Sequence, residues 1–378
     1  MTRELMLGVS GWRLRGERTG IGRYLSSLVS CWSKPVVAGR FAEIRIYSPE
    51  PLSDPDIHLP PGVKNHVLDS RLAMVPWENV RLGPKVRDDV VLYPSFSRPF
   101  YTRTATVVTT HDATMRIIPE MFTRRDRIVY DRLYGWSARA ATIVLTTSEA
   151  AKSDIVNEWN VDPDKIRITP LAAAGQFCHL PESATGNIRR SILGDDRPYF
   201  IFVGKISGRR NMPELLKAFS EFKRAGHPHK FVVVGPAHAV EAVQAIAVEL
   251  GVAEHVITKS FLSDEKLNLL YNGAEALIMP SVYENGSLPV FEAQATACPV
   301  IAVDTEGTRE ITGAAAMLIP KLEVSHLVEA MTALADNESF RRDLSESGLV
   351  NSQRYSWQRC AEETLDACVE AVELHRGQ

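Results

Sequence analysis

Residues 199–219 read YFIFVGKISGRRNMPELLKAF. The apolar run 199–204 has the length of a buried strand and stops at Gly204. The stretch MPELLKAFSEF that follows sets Leu215, Leu216, Phe219 and Phe222 on one helical face, with Pro213 near its start. Strand, short loop and helix in that order form the repeating unit of a parallel sheet with helices on both faces. The same unit recurs downstream, with strand-length runs at 230–235, 255–261, 275–281, 299–305 and 315–320. It recurs upstream at 4–10, 41–48, 90–95, 105–112, 141–148 and 165–170. The chain is therefore expected to be α/β, with two parallel sheets. Between the two series, FCHLPESATGNIRRSILGDDRP (177–198) is poor in strand pattern and rich in turn residues, which places a domain boundary near residue 185. After residue 337 the pattern is helical only, and WQRCAEETLDACVEAVEL (357–374) carries Ala361, Leu365, Cys368, Val369 and Val372 on one face.

Size and charge narrow the function. A length of 378 residues, at roughly 150 per domain, favours two domains. The formal charge of -3 argues against a nucleic-acid binder that relies on a strongly basic surface. Up to residue 180, however, Lys and Arg exceed the acids by about 24 to 19, so the first half could face something anionic. Cysteines at 31, 178, 298, 360 and 368 form no CxxC and are odd in number. They read as reduced thiols of a cytoplasmic protein and offer no metal site. The opening MTRELMLGVSG is too short for a signal-peptide core and no run reaches 18 apolar residues, so the chain is expected at most to lie against a membrane.

In parallel α/β sheets, ligands gather where strands end and helices begin. After Gly204 the loop crowds Lys205, Arg209 and Arg210 before a helix N-terminus; this reads equally as a solvated basic loop or as a site for an anion such as a diphosphate. In PSVYENGSLPVFEAQATACPV (280–300), Glu284 ends a post-strand loop and backbone N–H groups at 286–288 open a helix. Glu292 lies eight residues beyond Glu284, in the first turns of that helix, where a carboxylate suits the vicinal hydroxyls of a ribose. TGIGRYL (19–25) places Gly20 and Gly22 at a helix start, but lacks the third small residue of a dinucleotide fingerprint. His111 and Asp112 close the run 105–112, as catalytic groups or as an ordinary cap, and Ser148 reads as an N-cap.

Taken in order, these segments resemble the retaining glycosyltransferases of family 4. The resemblance is carried by TGIGRY, the strand ending THD, TTSEAAKSDI, DKIRITPL, YFIFVGKISGRRNMPELLKAF, the stretch SDEKLNLLYNGAEALIMPSVYENGSLPVFEAQATACPVIAV and the terminal YSWQRCAEETL. It implies the GT-B fold: two facing Rossmann-like domains, 1–185 on the acceptor side and 186–355 for the donor, with the final helix (356–378) crossing back to the first. It also implies that Lys205 and Arg210 grip the donor diphosphate beside Gly204, and that Glu292 holds the ribose. Glu284 and the backbone of Asn285, Gly286, Ser287 and Leu288 would contact the transferred sugar, and Lys259, Phe261 and Leu262 would lie beside the base. His111, with Asp112 able to assist, would face the sugar from the first domain, where Gly20 and Gly22 would close on the phosphates. Asn285-Gly286-Ser287 departs from the usual Gly-Phe-Gly, and Lys205 and Arg210 exchange the usual Arg and Lys.

The expected activity is transfer of a mannose-, glucose- or related hexose-type sugar, with retention, from a GDP- or UDP-type donor. The acceptor would be a hydroxyl of a glycan, a lipid-linked glycan or a small molecule. Front-face departure and attack needs no covalent nucleophile, cofactor or metal. Two other readings stand beside it: another GT-B enzyme, such as a sugar-nucleotide epimerase or disaccharide synthase, and a non-catalytic sugar-nucleotide or glycan-binding protein. Asp54-Pro55-Asp56 and Asp162-Pro163-Asp164 read as turns rather than metal ligands. The Arg-rich, partly apolar stretch 115–141 suits either peripheral contact with an anionic bilayer or a helix covering the sheet.

Overall fold

The computed structural model describes residues 4–377 apart from 17–19, 53–56, 58, 182–187, 192 and 261. The chain divides into two compact units, Met1–Leu171 with Ser356–Gln378, and Ala172–Tyr355.

The strands of unit 1 are β1 (Met6–Ser10), β2 (Glu43–Ser48), β3 (Val63–Val67), β4 (Val90–Tyr93), β5 (Ala105–Thr109), β6 (Ile143–Thr146) and β7 (Ile166–Ile168). Among the described residues they form one sheet in the order β3-β2-β1-β4-β5-β6-β7, parallel throughout. β4, β5 and β6 are buried on both faces, as a continuous Val/Ile/Leu pattern requires. β3, VKNHV, was not expected from sequence. It is an edge strand paired only with β2, and just its first residue is buried, so it lacks an apolar run. The terminal helix Trp357–Arg376 packs against the helix Gly20–Cys31 and the β4, β5 and β6 strands, burying Cys360, Ala361, Leu365, Cys368 and Val372. Arg40 with Asp366 and Arg167 with Glu370 tie its polar side to the same unit.

Unit 2 contains β8 (Tyr199–Val203), β9 (Lys230–Val234), β10 (Val256–Lys259), β11 (Ala276–Met279), β12 (Val300–Val303) and β13 (Met317–Ile319), all parallel in the order β10-β9-β8-β11-β12-β13. Its core joins Phe200, Phe202, Phe219, Phe222 and Phe231 to Ile278, Ile301 and Leu327. The division falls between Leu171 and Ala172, earlier than the expected 185. Cys178, Leu180 and Arg189 follow unit 2 because hydrogen bonds hold them there. Cys178 N–H donates to Asn268 Oδ1 at 3.1 Å, Leu180 N–H to Asn272 Oδ1 at 2.7 Å and Arg189 Nε to Gly273 O at 3.1 Å.

Both strand orders reverse direction at one place, between β1 and β4 in unit 1 and between β8 and β11 in unit 2. Connections leave such a switch point on opposite faces of the sheet and open a crevice beyond the strand ends.

Candidate functional site

At the unit 2 switch point, β8 ends in Gly204 at φ 135°, and a Cβ there would lie 2.2 Å from Arg210 Nη1. Glycine therefore lets the guanidinium fold against its own strand, where Nη1 donates to Val203 O at 3.1 Å. Arg210 is buried, and burial lowers its pKa from the ordinary value. Its Nη2 lies 3.4 Å from Glu284 Oε2, and Arg209 Nη1 lies 3.5 Å from the same oxygen while donating to Tyr283 O at 2.7 Å. Glu284, on the loop after β11, thus stands between two arginines at distances longer than a forked ion pair. Arg209, one of the three loop cations read from the sequence, meets Glu284 beside Arg210, although the resemblance assigned the diphosphate to Lys205 and Arg210 alone. Lys205 is exposed and bonds to no described residue.

The loop continues through Asn285, whose Nδ2 donates to Tyr283 Oη at 2.7 Å, into the helix Leu288–Ala295. Among the described residues, the N–H groups of Gly286 and Ser287 meet no acceptor. Gly307, in the helix Glu306–Thr312, packs so closely that its Cβ would stand 2.2 Å from Glu284 O and 2.8 Å from Asn285 Cα. Glu292 is buried inside its helix, and Tyr271 Oη donates to its Oε2 at 3.0 Å. Tyr271 and Gly307 had no motif to announce them. Lys259 and Leu262 are half-buried near the end of β10, and Phe261 lies outside the described residues.

In unit 1, Gly20 opens the helix Gly20–Cys31, where an added Cβ meets nothing within 4 Å, and Gly22 is buried within it. His111 Nε2–H donates to Pro94 O at 3.1 Å, which leaves Nδ1 as the acceptor nitrogen. Burial lowers its pKa, so the ring is neutral near pH 7. Asp112 Oδ1 accepts the Thr114 N–H at 2.9 Å, a capping role. Ser148 caps the helix Glu149–Trp159 through Ala151 N. A carboxylate missed from sequence lies at the same strand ends: Glu78 is buried, with Ser10 Oγ donating to Oε1 and Ser97 Oγ to Oε2, each at 2.8 Å. Burial pushes its pKa up to about 7, against the opposing effect of those hydroxyls and Arg13. The Asp162–Asp164 pair is a capped turn, Asp162 Oδ1 accepting Asp164 N–H at 3.0 Å, and Asp54–Asp56 lies outside the described residues.

Comparison with known proteins places this geometry. Residues 185–349 match the sequence model of the family described as Glycosyl transferases group 1. The chain is 24% identical over 370 residues to the O-antigen chain mannosyltransferase B of Escherichia coli, covering 92% of this chain and 95% of that one. It is 28% identical over 239 residues to an MMP alpha-(1->4)-mannosyltransferase of Mycolicibacterium hassiacum, covering 62% of this chain and 56% of that protein. Among solved structures it is similar to the sucrose-phosphate synthase of Thermosynechococcus elongatus, with a TM-score of 0.76 at 17% identity, covering 95% and 96% of the two chains. HepE of Anabaena, solved in complex with UDP-glucose, aligns over 100% of both chains with a TM-score of 0.74 at 15% identity. At those identities the structural likeness establishes the fold.

Proposed function

Since the chain is a glycosyltransferase of the GT-B fold with its group 1 domain at residues 185–349, we propose that it moves a hexose, mannose in the first instance, from a nucleoside diphosphate sugar to a glycan hydroxyl with retention of configuration. The observation that carries this reading is the convergence at the unit 2 switch point of Arg209, Arg210 and Glu284 with the unengaged N–H groups of Gly286 and Ser287. Preorganised cations and N–H donors stabilise negative charge as it develops on a departing diphosphate, and they do so without reorganising. Lys205 adds a third cation from the loop's exposed side. Glu292, fixed by Tyr271, accepts hydrogen bonds from the ribose hydroxyls, and Glu284 holds a hydroxyl of the transferred hexose. No side chain is required as a covalent nucleophile, so attack proceeds from the face the leaving group departs. Mannose is favoured by the two mannosyltransferases among the relatives.

The test is a thermal-shift screen of the full chain with GDP, UDP, GDP-mannose and UDP-glucose, because a ligand bound only by the folded state raises Tm. A shift from one diphosphate, followed by hexose transfer from its sugar, is expected. Indifference to all four overturns the reading.

We also propose that unit 1 touches an anionic bilayer. The helix Arg124–Ala140 exposes Ile128, Val129 and Tyr130 among arginines, and Ile117 and Met121 are exposed just before it. No described helix is long and apolar enough to cross a membrane. Flotation with phosphatidylglycerol vesicles at low salt, absent with phosphatidylcholine alone, is the expected result. Equal behaviour with both lipids overturns the proposal.

A further inference from the structure

The helix Leu288–Ala295, which carries Glu292, has eight residues, little more than two turns. Leu288, Val290 and Phe291 bury apolar surface on it, which seats the helix but leaves its rotation about its own axis loosely set. Rotation matters for a carboxylate. Turning a helix by about 20° carries a side-chain end, roughly 5–6 Å from the axis, through about 2 Å. A shift of that size is enough to lose a hydrogen bond.

Gln294 lies two positions beyond Glu292, about 200° around the helix, so the two side chains leave on opposite sides. It is fully buried and both ends of its amide are used: Nε2 donates to Ala315 O at 3.1 Å, and Oε1 accepts from Asn351 Nδ2 at 2.8 Å. Asn351 is buried near the end of the helix Glu338–Ser352. Its Nδ2 also donates to Ile311 O at 2.8 Å, and its Oδ1 accepts from Arg354 Nη1 at 2.9 Å. Ile311 belongs to the helix Glu306–Thr312, whose Gly307 packs on the Glu284 loop. Tyr355 repeats the bridge: its Oη donates to Glu310 O at 3.1 Å and its ring meets Phe291 edge-on at 4.8 Å. Asn351 and Tyr355 therefore grip both the helix that carries Glu292 and the helix that backs Glu284. Burying two amides gives up hydrogen bonds to water, and an apolar pair of like shape would stabilise the fold as well. What the amides add is direction, because a hydrogen-bonded pair fixes one register where Leu or Met tolerates several.

We propose that Gln294 and Asn351 are positioning residues for the donor: their paired amides fix the rotation of the helix Leu288–Ala295 and so aim Glu292 at the ribose. The proposal rests on the ribose role given to Glu292 above. It adds that this role is set by a residue of another helix, far along the chain and out of reach of the ligand.

The experiment is isothermal titration calorimetry of the full chain with GDP and UDP, each beside its 2′,3′-dideoxy form, whose sugar offers Glu292 no vicinal hydroxyls. The nucleotide that binds wild type is expected to bind at least roughly tenfold more tightly with its ribose intact, since the hydrogen bonds to the carboxylate are lost without it. Gln294→Met keeps length and volume but removes the amide. It should weaken the ribose form at least roughly fivefold while the dideoxy form stays within about twofold. Asn351→Leu should do the same, and the double variant should lose no more than the worse single variant, because both act through one bond. Should Gln294→Met unfold too easily to titrate, Asn351→Leu decides by the same comparison. A merely structural pair would weaken both forms by one factor. Equal weakening of the two forms, or a ribose preference unchanged in both single variants, overturns the proposal. Wild-type protein that binds a nucleotide without preferring its ribose sinks the role of Glu292 and the proposal with it. Wild-type protein that binds neither nucleotide sinks the transferase reading, so the failures are distinguishable.

Discussion

Glu78, Glu284 and Glu292 are three buried carboxylates in three different settings, and the settings predict different behaviour. Glu292 is buried in its helix, with Tyr271 Oη donating to its Oε2 at 3.0 Å, and the proposed function assigns it the donor's ribose. Glu292→Gln is expected to raise the donor KM roughly tenfold with little change in kcat, since a ribose is held equally in ground and transition states. Steady-state kinetics with varied donor checks this, and an unchanged KM removes the ribose role. Glu78 answers to pH instead. Its pKa rises from 4.5 to about 7 in the fold, so between those values the folded chain keeps a proton that the unfolded chain has lost. That contribution is complete below pH 4.5 and is lost as pH rises through 7, amounting to roughly 3 kcal/mol. Glu78→Gln should flatten the fall in Tm between about pH 5 and 8; a slope equal to wild type refutes the assignment. Glu284 and Glu292 were legible in the sequence because a strand, a turn and a helix frame them. Glu78 lies in PWENVRL, which has no strand or helix period to frame it, and its partners Ser10 and Ser97 are far away in sequence.

The elements themselves were easier to read than their contacts. Buried parallel strands are continuous apolar runs, which is why all but β3 could be placed from sequence, and β3 escaped because an edge strand can remain polar. Close approach between elements leaves no such trace. Gly307 sits in DTEGTRE, where nothing in the sequence marks it, yet its missing Cβ is what lets the helix Glu306–Thr312 meet the Glu284 loop. Gly307→Ala should displace Glu284 and cut kcat/KM at least roughly tenfold, because a backbone atom cannot yield as a side chain can. Activity within twofold of wild type would show that the loop shifts without consequence. On the terminal helix, Leu365 is fully buried against unit 1, and Leu365→Ala should cost about 2–5 kcal/mol, read as a fall in denaturation midpoint. An unaltered midpoint would mean that this helix does not stabilise unit 1.

For the whole molecule, the cysteines and the phosphate site give two solution-level expectations. All five thiols are free, with Cys178 exposed, Cys31 partly so and Cys298, Cys360 and Cys368 buried. Burial pushes Cys298 up to about 12, so in native protein a disulfide reagent should label Cys178 quickly, Cys31 slowly and the other three only on unfolding. Rapid reaction of all five would contradict the packing of the terminal helix. Turnover should also survive excess EDTA, because the proposed function draws the positive charge for the diphosphate from Lys205, Arg209 and Arg210; loss of activity restored by Mg²⁺ or Mn²⁺ would overturn that assignment. At this scale the sequence misplaced the boundary at 185, since a loop held by Asn268 and Asn272 looks like a linker until its partners are known. The division of the chain has a further consequence for biosynthesis. Unit 2 is, in chain order, an insertion into unit 1, which resumes only at Ser356, just before its last helix. A ribosome adding about 5–20 residues per second needs on the order of ten to forty seconds to go from Leu171 to the final residue. Throughout that interval the newly made β4, β5 and β6 lack the helix that covers them, so unit 2 can finish folding first. The nascent first half is then the part most exposed to chaperones and proteases, and a stop codon near the 3′ end of the message would damage the half that was translated first.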